Sequence, residues 1–348
     1  MDTDSGDPAP VALVFFNRPT PLARTFEAIR ASQPRELFLI QDGPRLGVEG
    51  DVEKVRKCRD IVSAVDWDCV VHRDFSEVNL GTGARVTSGL TWAFSKVDRL
   101  IILEDDCLPA EDFFPFCAQL LERYKEDQRV GMISGMNHLG TYDETPYDYL
   151  FSRAGSIAGW ATWRRVWDSV EHDFAFLDDP DAVRLLSRRH KERNMGQGRL
   201  QRARRLKARM EHSIPLSEWA APLVIADVLD SRFNIVPRVN LMSNIGVGPD
   251  GVNTVDTMQK VPKAGRFLYS LPLHRLGPEL RHPKYVTEDL EYTDRVYKVM
   301  GWTFWRSNYR RVESVVRRVL HGESLGAIIR RWGTRLRRDR QAMRSSGH

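Results

Sequence analysis

The stretch "RLIILEDDCLPAEDFF", Arg99 to Phe114, runs four apolar residues into three carboxylates and leaves through a proline and a second apolar stretch. A short apolar run bounded in this way reads as a buried strand. Glu104, Asp105 and Asp106 then stand at its carboxyl end, where adjacent anions repel one another and lose solvation together. An acidic triplet on its own is usually a solvated turn. Position changes that reading, because in open α/β sheets the ligand crevice lies outside the carboxyl ends of the strands. A hard divalent cation, Mn2+ or Mg2+, would offset both costs. Such ions keep one or two protein carboxylates and take their other oxygens from water and phosphate.

Upstream, the same unit repeats. "VALVFF" (11–16) ends at "NRP", and Leu22, Phe26 and Ile29 follow at helical spacing. "LFLI" (37–40) ends at "QDGP", before a charged helical stretch with Val52, Val55, Ile61 and Val62. "DCVVHRD" (68–74) is the third strand, "TGARVTSGLTWAF" (82–94) the next helix and "RLIIL" (99–103) the fourth strand. Downstream, "DFFPFCAQLLERYKED" is helical and "VGMIS" (130–134) a fifth strand. The expected fold class is therefore α/β, a mostly parallel central sheet flanked by helices. Its strand ends bring Asn17, Arg18, Asp42, Asn79 and the triplet to one edge.

Beyond residue 135 the pattern changes. "SIAGWATWRRVWDSVEHDF" places Trp160, Trp163 and Trp167 at i, i+3 and i+7, one face of a helix and an expected core stripe. Residues 181–212 form a strongly basic helical segment, and "FNIVPRVNLMSNIGVG" reads as a strand with a glycine-rich exit. In the tail, Leu325, Ile328, Ile329, Trp332 and Leu336 share a helical face among arginines, which suits an anionic membrane surface or packing on the domain itself.

Composition narrows the classes. With 348 residues, 42% hydrophobic and 28% charged, the chain is globular. Twelve of its 52 basic residues but only 3 of its 47 acidic ones follow residue 301, so the body is slightly acidic. Nucleic acid is not an expected partner. The acidic N-terminal sequence is unlike a signal peptide, and no run spans a bilayer, so the expected location is cytoplasmic, with the tail open to either peripheral membrane contact or packing on the domain. Four cysteines without C-x-x-C spacing give neither a zinc knuckle nor a disulfide framework.

"VFFNRP", "IQDGP", "NLGTGARVTSGL" and "LIILEDDCLPAEDFFPF", in this order, resemble the nucleotide-sugar glycosyltransferases of the GT-A fold, of the N-acetylglucosaminyltransferase I type and the bacterial family-2-like type. The resemblance covers roughly residues 11–251. It implies a GT-A domain over 11–255, with a nucleotide-sugar-binding half at 11–135 and an acceptor half at 136–255. Residues 1–10 would precede it without order, and 256–348 would form an extension with basic amphipathic helices. It further implies that Asp106 ligates Mn2+ or Mg2+, and that Asp105 and Glu104 reach the ribose and sugar hydroxyls of the donor. Asp42 would contact the base, and Arg18 the base or diphosphate. A "GW" element beside the donor sugar implies Trp160. An acid directly before a tryptophan serves as base in the relatives. Here "PLSEWAAPL" supplies Glu218, a glutamate where they have aspartate, with Asp168 and Asp173 behind it.

Arg85, after the glycines of "NLGTGAR", suits either a phosphate-facing loop or an ordinary helix start. The expected activity is transfer of a sugar, with inversion, from a UDP-sugar to a hydroxyl on a cell-envelope polysaccharide, glycolipid or natural product. The alternatives are a non-catalytic nucleotide-sugar-binding module and a sugar-nucleotide pyrophosphorylase. The second would need a glycine-rich loop where this chain has "NRPTP".

Overall fold

The structure, a computed structural model, describes residues 8–188, 193–214, 216, 218–247 and 268–300, with single positions at 259, 261, 266, 316, 319, 320, 324 and 326. Strands β1 (Val11–Phe15), β2 (Glu36–Gln41), β3 (Val70–Phe75) and β4 (Arg99–Glu104) alternate with helices α1 (Pro19–Ser32), α2 (Asp51–Val62) and α3 (Thr82–Phe94). β1 pairs in parallel with β2 and with β4, and β2 with β3. Every residue of β1 is buried, as is all but Glu36 of β2, which is why these runs are continuously apolar. β3 lies at the edge and is half exposed.

Helix α1 starts on a proline, whose missing N–H costs nothing there, and turns Leu22, Phe26 and Ile29 inward. In α2 the buried residues are Asp51, Val55, Cys58 and Val62, whereas Val52 points to solvent.

Four further strands widen the sheet: β6 (Val130–Ser134), β7 (Tyr149–Ser152), β8 (Trp160–Trp163) and β9 (Phe233–Pro237). The order is β3-β2-β1-β4-β8-β6-β9-β7, with β8 antiparallel between β4 and β6. Trp160 and Trp163 therefore lie on a strand, and only Trp167 falls on a helix, the short α5 (Arg164–Trp167). The expected single helical face is wrong because a strand buried on both sides shows no alternation to betray it. "FNIVPRVNLMSN" is likewise two strands, β9 and β10 (Met242–Asn244), the first ending at Pro237. β10 pairs antiparallel with β5 (Cys107–Pro109), the three residues that follow the triplet, and so pins the triplet's exit.

Helix α4 (Phe113–Arg123) follows β5. The basic segment forms α6 (Pro180–Arg188) and α7 (Arg193–Glu211). α7 turns Leu200, Ala203 and Leu206 onto Ile225 and Val228 of α8 (Ala221–Leu229). Helix α9 (Leu290–Val299) buries Tyr292 and Val296 beside Val236. The apolar tail face at 325–336 and the glycine-rich exit beyond residue 247 lie outside the described residues. No described helix is long and apolar enough to cross a membrane.

Candidate functional site

The triplet opens into a cavity of about 470 Å3 lined by Arg18, Asp42, Arg85, Glu104, Asp105 and Asp106, among others. The first charge that offsets theirs comes from the chain itself. Arg18, at the amino end of α1, binds Asp105 through both Nε, at 3.3 Å, and Nη2, and donates to Asp106 Oδ2 at 3.0 Å. Burial disfavours the guanidinium charge, yet Asp105 and Asp106 outweigh that and raise its pKa. The backbone of the turn is clamped as well. Thr25 Oγ1 donates to the carbonyls of Asp105 and Cys107, and Ile245 N–H to that of Asp106. Gly246 lies so close to the Asp106 carboxylate that a Cβ there would collide with it.

The three acids are not equivalent. Glu104 is pushed up to about 8 by burial first and then by the charges of Asp106 and Asp105, against Arg18 and the Trp219 indole N–H that bonds it. Burial likewise raises Asp105, to about 6, with Arg18 opposing and Asp106 adding to the rise. Excess negative charge thus persists after Arg18 has been counted, as expected of oxygen ligands that share a cation.

Asp42 and Arg85 are occupied by the fold. Asp42 accepts from the N–H groups of Gly43, Leu80 and Gly81 and from Asn79 Nδ2, all within 2.8–3.0 Å, and so ties the 79–81 loop to the end of β2. Arg85 is 4% exposed. It donates to the carbonyls of Gln41 and Asp74 and to Ser88 Oγ, and pairs with the Asp74 carboxylate. The second glycine of its loop, Gly83, admits Leu216, whose carbonyl accepts the Gly83 N–H at 2.8 Å. Gly83 therefore serves packing, while Gly81 takes φ +79° and donates its N–H to Asp42.

Trp160 is fully buried and does not line the cavity. Its ring stacks on Trp219 at 5.7 Å, so it backs the indole that holds Glu104. Glu218 does not line the cavity either. Its carboxylate is bound by Arg202 and lies 3.5 Å from Arg205, both on α7. The carboxylate is thus engaged by α7 and not turned to the cavity. Asp168 and Asp173 are exposed and also stand outside the cavity.

Among the lining residues to which the sequence assigns no role are Arg45, Asn244 and Tyr269. Arg45 pairs with buried Asp51 and lies over the Phe16 ring at 5.5 Å. Its bonds to Asp51, ahead of the Asn17 contact, pull that carboxyl down to about 2. The cue was an arginine directly after the "DGP" turn. Tyr269 reaches the site because Ser270 N–H bonds the Asn244 carbonyl, a link of long sequence separation that no local pattern carries.

Among the described residues no group of three or more His, Cys, Asp or Glu side chains is arranged as a metal cage. The four cysteines are free thiols.

No family model matches the chain, and no curated protein does. Solved structures similar to part of it include the following two. HddC from Yersinia pseudotuberculosis aligns at 12% identity and a TM-score of 0.32, over 49% of this chain and 84% of that one. A 4-diphosphocytidyl-2C-methyl-D-erythritol synthase from Anaerococcus prevotii aligns at 9% and 0.29, over 47% and 75%. Similarity at that level does not extend to function.

Proposed function

We propose that the chain is a GT-A-type glycosyltransferase that moves a sugar, with inversion, from a UDP-sugar to an acceptor hydroxyl with the aid of Mn2+ or Mg2+. One arrangement carries the reading. The Glu104–Asp106 triplet ends a central parallel strand and turns, with Arg18, into a cavity in the size class of small-molecule sites.

The donor set fits a hard cation, being all oxygen, pre-crowded with negative charge and only partly neutralised by Arg18. Asp106 would hold the ion with help from its neighbours, and the ion would supply positive charge to the departing diphosphate. A cage of protein ligands is not required, since phosphate and water complete the shell of such ions.

The chain's own groups do the rest. Arg18 lines the cavity, and its planar guanidinium, bound through Nε and Nη2 to Asp105 and Asp106, would exchange part of those contacts for a diphosphate oxygen. Glu104, steadied by Trp219, is positioned to bond a sugar hydroxyl. Asp42 acts by fixing the loop at 79–81, which forms one wall. Glu218 could take the acceptor's proton only after Arg202 and Arg205 let go, which makes it a positioning residue for α7 as it stands.

The test is release of UDP from UDP-hexoses and UDP-N-acetylhexosamines by the purified chain, with and without Mn2+. Slow metal-dependent release that Asp106→Ala abolishes is expected. Binding without any release or transfer would instead identify a non-catalytic module. Pyrophosphate formed from UTP and a sugar 1-phosphate would identify a pyrophosphorylase.

A further inference from the structure

Beside the triplet cavity lies a second one, of about 300 Å3, and Ile157 lines both. Its walls are mostly apolar, with Met132, Met195, Leu223 and Val228 among them. Set into these walls are four arginines, Arg153, Arg199, Arg202 and Arg232, against one carboxyl, Asp227.

Buried polar groups normally have partners, because leaving one unpaired costs about 1–3 kcal/mol. Here four atoms from three segments of the chain depart from that rule together. Nη1 of Arg153, Nη1 of Arg232, Oδ1 of Asp227 and Oδ1 of Asn234 are buried without a hydrogen-bond partner among the described residues. Arg232, Asp227 and Asn234 are only 7%, 8% and 6% exposed. Arg232 Nη1 and Asp227 Oδ1 stay 3.8 Å apart, too far to satisfy each other by a hydrogen bond.

The other edges of the two guanidiniums are anchored. Arg232 Nη2 donates to Ser169 Oγ at 2.9 Å and pairs with Asp230 at 2.8 Å. Arg153 Nε pairs with Glu288 at 3.1 Å, and its guanidinium lies 5.0 Å over the Phe233 ring. Each arginine is thus fixed in place with one nitrogen, Nη1, that makes no hydrogen bond, that of Arg232 facing Asp227 at ion-pair distance, which is preorganisation for an acceptor from outside. Burial meanwhile holds the Asp227 carboxyl up, near 7, so at neutral pH it opposes the arginines with less than a full charge.

We infer that this second cavity is a binding site for a small amphipathic anion: an apolar body seated on the methionine and aliphatic wall, carrying one carboxylate, sulfonate or phosphate held by Arg153 and Arg232. A hydroxyl or N–H on the body would bond Asn234 Oδ1. The inference does not depend on the transferase reading.

Fluorescence titration of the full chain tests it with two dyes of one ring framework, 8-anilinonaphthalene-1-sulfonate and the uncharged N-phenyl-1-naphthylamine. The sulfonate is expected to fill one site, about tenfold or more tighter than the neutral amine. Arg153→Met should erase that preference while sparing the amine, and Val224→Trp, at a partly exposed lining position, should exclude both dyes. On the unaltered protein, decanoate or decyl phosphate should displace the sulfonate dye where decanol does not, and the better of the two names the head group. Equal affinity for the two dyes, displacement by decanol as effective as by the anions, or a sulfonate titration unmoved by both substitutions would overturn the proposal. UDP with Mn2+ is titrated separately on the same preparations, so failure at one cavity is not mistaken for failure at the other.

Discussion

The cavity that holds Glu104, Asp105 and Asp106 and its neighbour lined by Arg153 and Arg232 meet at Ile157, yet they treat charge in opposite ways. In the first, the charged groups have hydrogen-bonded partners within the fold, even though Arg18 neutralises the triplet only in part. Arg18 binds Asp105 and Asp106, Asp42 takes four donors, and Arg85 spans two strand-end carbonyls. In the second, polar atoms are buried beside one another and left apart. A ligand of the first cavity must therefore exchange contacts with the protein, whereas a ligand of the second supplies contacts that are missing. Exchange suits a site that releases a product, and preorganised donors suit one that selects by charge.

Breaking the closed side should cost most. Asp42→Ala removes the acceptor for four N–H donors at a buried position and is expected to lower stability by about 4 kcal/mol in urea unfolding. A loss below about 1 kcal/mol would show that the 79–81 loop does not depend on it.

Arg18→Gln should follow, at about 3 kcal/mol above pH 8, because it strands buried carboxylates without their cation. The loss should shrink towards pH 5, where the raised carboxyls of Glu104 and Asp105 take up protons and no longer need the guanidinium. A loss that does not vary with pH would mean that Arg18 serves packing alone.

On the open side the sign reverses. The Asp227 carboxyl sits near 7 in the fold, above its ordinary 3.8, so the native state binds more protons than the unfolded chain between those values. Stability contributed by the neutral carboxyl is then lost as pH rises across that window. Asp227→Asn should remove this dependence, so that the variant gains on the parent as pH rises from 4 to 8, read from melting curves. Parallel pH profiles would contradict it.

The smallest effect sharpens the boundary between the cavities. Glu218→Gln should change UDP release by less than about threefold, since its carboxylate is engaged by Arg202 and Arg205. A loss of about a hundredfold or more would restore it as the base.

The closed cavity was largely legible in the sequence and the open one was not. The strands carrying Arg18, Asp42 and the triplet are consecutive, apolar and parallel, so topology alone gathers their ends at one edge. What escaped was the pairing of Arg18 with Asp105, 87 residues away, which no local period encodes. Trp160 was misread for a related reason. A short strand inserted antiparallel between two others is buried on both sides, and its spacing to Trp163 and Trp167 imitates a helix. In the second cavity Arg153 follows β7, Asp227 sits on α8, and Arg232 and Asn234 flank the start of β9. These segments meet only through the mixed half of the sheet and the helices over it, and no spacing rule announces such a meeting.

The most direct measurement is calorimetric titration of UDP, GDP and dTDP into the chain, with and without Mn2+, beside Asp106→Ala. The expected result is UDP binding that requires Mn2+ and disappears in the variant. If none of the three nucleotides binds in the presence of Mn2+, the cavity is not a nucleotide-diphosphate site, and the triplet is an acidic turn held by Arg18.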